Sequence, residues 1–289
     1  MVTQAWRQTR VILEMIKFEH TIFALPFAFI GAFAASRGWP SMHDAFWILL
    51  AMVGARSAAM AFNRIADCRY DALNPRTADR AIPAGRLTVA QVAVFTTASC
   101  LLLIVAAYHL KPLAFYLSPA AILAVLGYSF TKRFTVFSHA FLGLALSIAP
   151  MGAWIAIRGS FDMTPVVLAG AVLFWLFGFD IIYALQDTEF DREAGLYSMP
   201  AKLGNAKALL VSRIAHVAMI VLLVLFGCLA HLHSLYIAGV VFAAALVAYE
   251  QSLVRADDLS KLDFAFFNLN GYISVGLFLF TAGDILWQH

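Results

Sequence analysis

Apolar residues run along this chain in blocks of about 20, parted by short polar breaks, from near the amino end almost to the last residue. A block of that length wound as a helix crosses a hydrocarbon layer of about 30 Å, and a helix leaves no backbone group unsatisfied there. The pattern predicts nine spanning helices, over residues 11–35, 44–66, 89–110, 112–130, 137–157, 165–187, 207–230, 234–253 and 264–286. Pro26 should kink the first. That block reads as a retained helix and not a signal peptide, because no small-residue cleavage site follows it and Lys17, Glu19 and His20 interrupt its start. The expected fold is therefore all-α, a single domain over 1–289 whose helices surround a central cavity.

Composition excludes an ordinary soluble domain. Hydrophobic residues make up 62% and charged ones 13%, with a mean hydropathy of +0.82, too little charge for a water-facing surface. The basic residues are one-sided. Arg7, Arg10, Lys17, Arg64, Arg69, Arg76, Arg80, Arg86, Lys132, Arg133, Arg192, Lys202, Lys207, Arg213, Arg255 and Lys261 fall at the amino end or in alternate connections, while the other side has only Arg37, Lys111 and Arg158. The asymmetry places the amino terminus in the cytoplasm and the carboxyl terminus outside, as in a bacterial inner-membrane protein. The net charge of +3 comes from these loops and fits an anionic leaflet or substrate, with no call for nucleic acid. Cys68, Cys100 and Cys228 have no paired spacing, so neither a disulfide framework nor a thiolate metal site is expected.

Against this apolar background two polar ladders stand out, Asn63-x-x-x-Asp67-x-x-x-Asp71 and Asp180-x-x-Tyr183-x-x-x-Asp187-x-x-x-Asp191. On helices each would lie along one face, at the end of a spanning block. Asp67 and Asp187 are 120 residues apart, and each precedes a long polar loop, which reads as two similar halves facing each other at the cytoplasmic side. The loop after Asp71 is rich in turn-forming residues and should be structured. Several carboxylates at one depth repel unless a divalent cation such as Mg²⁺, helped by phosphate oxygens, offsets their charge. His231 and His233 lie in an outer turn with no acidic companion, and a metal role there is not expected.

Asn63-Arg-Ile-Ala-Asp67-Cys-Arg-Tyr-Asp71 with Asn74-Pro-Arg76-Thr-Ala-Asp-Arg80-Ala-Ile-Pro-Ala-Gly85, and Asp180-Ile-Ile-Tyr183-Ala-Leu-Gln-Asp187-Thr-Glu-Phe-Asp191, resemble the two signatures of the UbiA family of membrane prenyltransferases. Residues 17–27 resemble the opening helix of its 4-hydroxybenzoate polyprenyltransferase branch. Phe190 stands where many members carry another Asp. The resemblance implies Mg²⁺ held by Asn63, Asp67 and Asp71 on one side and by Asp187 and Asp191 on the other. The partners implied are a polyprenyl diphosphate and an aromatic acid, joined in ubiquinone or menaquinone biosynthesis. Arg76 and Arg80 suit diphosphate oxygens through forked hydrogen bonds, and Lys132 and Arg133 approach from the same side. Arg56, seven residues before Asn63, calls for an anionic partner, either the acceptor's carboxylate or a ladder carboxylate. Asp180, Tyr183 and Asn268 are further candidates for the substrate pocket, as is Asn270, though polar side chains also bridge helices. Other acceptors, such as haem or a naphthoate, belong to the same reading; a cation transporter is the rival from another class.

Overall fold

A computed structural model describes residues 10–16, 21–262 and 264–288, without the side chains of 21–23. Arg7, Lys17, Glu19 and His20 lie outside the described residues. Helix α1 covers Thr21–Ser36, α2 Met42–Ala66 and the short α3 Cys68–Leu73. Beyond a loop follow α4 (Val89–Tyr108), α5 (Pro112–Gly127), a 3₁₀ segment (Tyr128–Arg133) and α6 (Ser138–Arg158). Then come α7 (Met163–Ala184), a 3₁₀ turn (Leu185–Asp187) and the short α8 (Thr188–Glu193) and α9 (Met199–Leu203). Helix α10 (Asn205–Leu229), α11 (Ser234–Leu253), a π-helical turn (Phe264–Leu269) and α12 (Asn270–Trp287) complete the chain.

Helix ends follow local chemistry. Ser41 Oγ accepts the Asp44 N–H at the start of α2, Thr88 and Gln91 form a reciprocal cap on α4, and Pro112 opens α5. Gly159, at φ 70°, closes α6 in a left-handed conformation. Helix α11 has no side-chain cap of its own. The buried Asp284 of α12 serves instead, accepting the N–H groups of His233, Leu235 and Tyr236 at 2.8, 3.1 and 3.1 Å.

Neighbouring long helices pack in chain order, α1 on α2, α2 on α4, α4 on α5, α5 on α6, α6 on α7, α7 on α10, α10 on α11 and α11 on α12. Contact of α12 with α1 closes the ring, and α1 also packs on α6. The main core, around Phe27, Trp175, Phe226 and Tyr236, joins α1, α7, α10, α11 and α12. Large apolar side chains also face outward, such as Ile214, Val217 and Val221 of α10, as a lipid-facing surface allows. Among the described residues eight helical segments are long and apolar enough to span a membrane, where the sequence pattern counts nine. The first block is the difference, because its described apolar part, Ala24–Ser36, is shorter than a span.

The ladders depart from the expected straight helices. Asp67 takes φ −95°, ψ 2° between α2 and α3, and Asp187 ends the 3₁₀ turn between α7 and α8 with φ −105°, ψ 9°. The bonds Asp67 N–H to Asn63 O and Asp71 N–H to Asp67 O persist at 2.9 and 2.8 Å, so the first ladder bends without breaking. Each helix thus turns at its central aspartate.

Close approach of helices needs small residues. A Cβ on Gly31 would stand 2.4 Å from Pro150 O, a backbone atom, whereas one on Gly152 meets nothing within 4 Å. Gly31→Ala should therefore destabilise the fold by about 1–3 kcal/mol through overpacking. Gly152→Ala, which only removes backbone freedom, should be neutral or stabilising. Thermal unfolding in detergent checks the contrast.

Candidate active site

The two bent ladders line one cavity of about 570 Å³. Helix α2 supplies Arg56 and Asn63, its end Asp67, α3 Asp71, the following loop Asn74, Arg76 and Arg80, and the 3₁₀ segment Lys132. From the second half come Asp180, Tyr183, Asp187 and Asp191. Eleven of the fourteen residues expected from sequence line this cavity; Arg133, Asn268 and Asn270 do not. Arg133 lies over the Tyr70 and Phe130 rings and donates to Ala66 O, with Nη2 3.8 Å from Asp67 Oδ1. Asn268 is exposed, and Asn270 is the buried one, accepting from Trp175 Nε1 and donating to Glu250 Oε1, both at 2.8 Å.

Each central carboxylate meets a cation. Asp67 Oδ2 lies 2.8 Å from Lys132 Nζ and accepts from Asn63 Nδ2 at 3.1 Å. Asp71 Oδ1 accepts from Arg80 Nη1 at 2.7 Å. Asp187 is gripped by both forks of Arg76, with Nε donating to Oδ1 at 2.9 Å and Nη2 to Oδ2. Asn74 Nδ2 adds a third bond to Asp187 at 2.9 Å, while its own Oδ1 accepts the Arg76 N–H, so one loop residue braces both partners. Arg76 Nη1 also donates to Tyr183 Oη at 3.1 Å. Burial alone would lower the Arg76 pKa, but the hydrogen bonds and charge of Asp187 and Tyr183 outweigh it and hold the guanidinium above its ordinary value.

Two buried carboxylate oxygens, Asp67 Oδ1 and Asp71 Oδ2, have no hydrogen-bond partner. They are hard donors from adjacent ladder steps, which suits Mg²⁺, an ion that takes one or two carboxylates and leaves its other positions to water and phosphate. Among the described residues no three His, Cys, Asp or Glu side chains converge into a ready metal cage, in keeping with a site that substrate completes. Arg56 has its Nε buried without a partner, and no acidic side chain pairs with it among the described residues, which removes the ladder salt bridge as its explanation. Arg56 and Tyr128 also line a second, apolar cavity of about 350 Å³ walled by Ala51, Ala55 and Ala59 of α2 and Ala145 of α6.

Residues 24–272 match the UbiA prenyltransferase family. The chain belongs to this family. It is 31% identical over 248 residues to a 4-hydroxybenzoate octaprenyltransferase of Tolumonas auensis, covering 86% of this chain and 85% of the relative. The enzyme of that name from Marinobacter nauticus is 31% identical over 252 residues, with 87% and 85% covered. The apo structure of a UbiA homologue from Aeropyrum pernix K1 superposes with a TM-score of 0.85 at 32% identity, over 93% of this chain and 98% of that one. A UbiA homologue from Archaeoglobus fulgidus bound to DMAPP and Mg²⁺ shares the fold, with a TM-score of 0.73 at 19% identity over 95% and 98% of the two chains. Like its relatives, this UbiA-family member is a multi-pass membrane prenyltransferase.

Sequence did not single out His139. It donates from Nδ1 to Asp180 Oδ2 at 2.6 Å, from an apolar stretch of α6 with nothing nearby in sequence to mark it. Within the family site the Arg80–Asp71 pair has a testable worth. Asp71 is nearly buried and Arg80 about a quarter exposed, so Arg80→Ala should cost about 2 kcal/mol or more by leaving a buried carboxylate unmatched. Asp71→Asn in the same chain should recover most of the loss, and a double-mutant cycle of thermal unfolding midpoints measures it.

Proposed function

We propose that this enzyme carries out Mg²⁺-dependent transfer of a polyprenyl group from its diphosphate to an aromatic acid of the 4-hydroxybenzoate kind, in ubiquinone or menaquinone biosynthesis. The observation that carries this reading is a single cavity with acid–base pairs from both ladders in one part and, in another, Arg56 with its buried Nε unpartnered. The first part suits a metal-bound diphosphate, and the second calls for a carboxylate. The names of the relatives, and the Mg²⁺ and DMAPP held by a protein of the same fold, support the assignment. The basic loops favour an orientation with both ladders at the cytoplasmic side of a bacterial inner membrane, with nine spans, a cytoplasmic amino terminus and an external carboxyl terminus.

In this reading Asn63, Asp67 and Asp71 would hold one Mg²⁺, and Asp187 and Asp191 the other. Bound there, the two ions would offset the charge that gathers on the diphosphate as the allylic C–O bond breaks. Arg76, Arg80 and Lys132 change partners from carboxylate to phosphate oxygens, which keeps both sets of charges matched. Tyr183 fixes the reach of Arg76 through their hydrogen bond. Arg56 orients the acceptor by a forked pair with its carboxylate, so that an electron-rich ring carbon meets the allylic cation. The apolar cavity beyond Arg56 offers room for isoprenoid units.

Asp67→Asn and Asp187→Asn, singly or together, should lower turnover by about 100-fold or more at saturating Mg²⁺, because each removes charge where the leaving group forms. Mass spectrometry of prenylated product from competing aromatic acids reads both activity and acceptor, and full turnover in the double variant would reject the reading. Arg56→Ala should raise the acceptor KM and leave that of the prenyl diphosphate nearly unchanged. Steady-state kinetics on folded variant checks this, and an unaltered acceptor KM would take Arg56 out of the acceptor site.

A further inference from the structure

The polar cavity has two tiers. In the outer one, Asp67, Asp71 and Asp187 are each bonded to Lys132, Arg80 or Arg76. Arg56 stands eleven residues before Asp67 on α2, about 16 Å along the helix, and Asp180 seven before Asp187 on α7, about 10 Å. Both line the cavity, as does the half-buried Tyr128. The wall around them is apolar, with Leu142, Leu146, Leu176 and Phe179, as a flat aromatic ring requires.

Asp180 differs from the outer carboxylates in what holds it. Its Oδ2 faces His139 Nδ1 at 2.6 Å. Met199 N–H donates to His139 Nε2 at 3.3 Å, which makes that nitrogen the acceptor and leaves the proton on Nδ1, pointed at Asp180. His139 is 5% exposed and fixed from both sides. No Lys or Arg side chain pairs with Asp180 among the described residues, and its Oδ1 has no hydrogen-bond partner among them. The inner tier therefore holds a cation for the acceptor's carboxylate and a carboxylate that no Lys or Arg engages among the described residues.

We propose that Asp180 is the base that takes the ring proton after prenyl transfer, with His139 as its positioning residue. This rests on the aromatic-acceptor reading above. When the allylic C–O bond breaks, its electron pair leaves with the diphosphate. A π pair of the ring forms the new C–C bond, the pair of the adjacent C–H bond re-enters the ring, and the proton passes to Asp180 Oδ1. Asp67, Asp71 and Asp187 are poor alternatives because each is already engaged by Lys132, Arg80 or Arg76, and His139 has no free lone pair.

Asp180→Asn preserves shape and an acceptor for His139 but cannot take the proton. It should lower kcat by about 100-fold, the usual worth of a general base, with both KM values within a few-fold of wild type. Acceptor deuterated at the reacting ring carbon should then turn over more slowly than the protiated acid, by a ratio larger than in wild type, because proton removal has become rate-limiting. Asp180→Glu, which restores a carboxylate, should regain part of the rate and shrink that ratio, and it separates loss of the base from loss of the fold. Near-wild-type kcat in Asp180→Asn, or slow turnover with no added isotope effect, would overturn the proposal and leave the departing diphosphate as the proton acceptor. If wild type makes no prenylated aromatic product, the acceptor reading fails and takes this proposal with it; product from wild type without the isotope signature sinks the base alone.

Discussion

Compensation of carboxylate charge governs this structure. Asp67, Asp71 and Asp187 share a partly buried space where unscreened like charges repel strongly, and each is matched by its own cation, Lys132, Arg80 or Arg76. The clasp of Arg76 on Asp187 spans 111 residues and ties the loop of the first half to the second ladder. That requirement explains why the loop after Asp71 is folded tightly on itself. Asn74 and Thr77 bond back to their neighbours, while Ala81 and Leu87 pack beneath with Met15 and Val92.

The same principle, left unfulfilled, marks where ligands belong. Asp67 Oδ1 and Asp71 Oδ2 lack donors, and Arg56 lacks an anion, in a molecule whose other buried polar groups are mostly paired. The orphans fall into two chemical kinds, one asking for a cation and one for an anion. Their separation along α2 sorts a metal-bound diphosphate from an aromatic carboxylate without any moving part.

Much of this was legible in sequence, for physical reasons. A spanning helix needs about 20 apolar residues, so seven of the predicted blocks past the first match helices within a few residues, and 234–253 matches in full. The polar ladders were equally plain, because charge in an apolar chain must have a partner. What sequence could not show depends on tertiary pairing or on helix phase. Asp180 and His139 meet across 41 residues with no local sign. The π-helical turn at Phe264–Leu269 shifts the phase of the last span, and so Asn270 is buried while Asn268 turns out. Bends at Asp67 and Asp187 likewise escape a reading that assumes 3.6 residues per turn throughout.

The carboxylate of Asp284 makes the last two helices depend on each other. The first turn of α11 exposes N–H groups that neither lipid nor its own sequence can satisfy, and its acceptors come from near the far end of α12. The last two helices thus form a hairpin in which one helix caps the other. Since α12 also meets α1, this hairpin is the keystone that turns an open row of helices into a closed wall around the cavity.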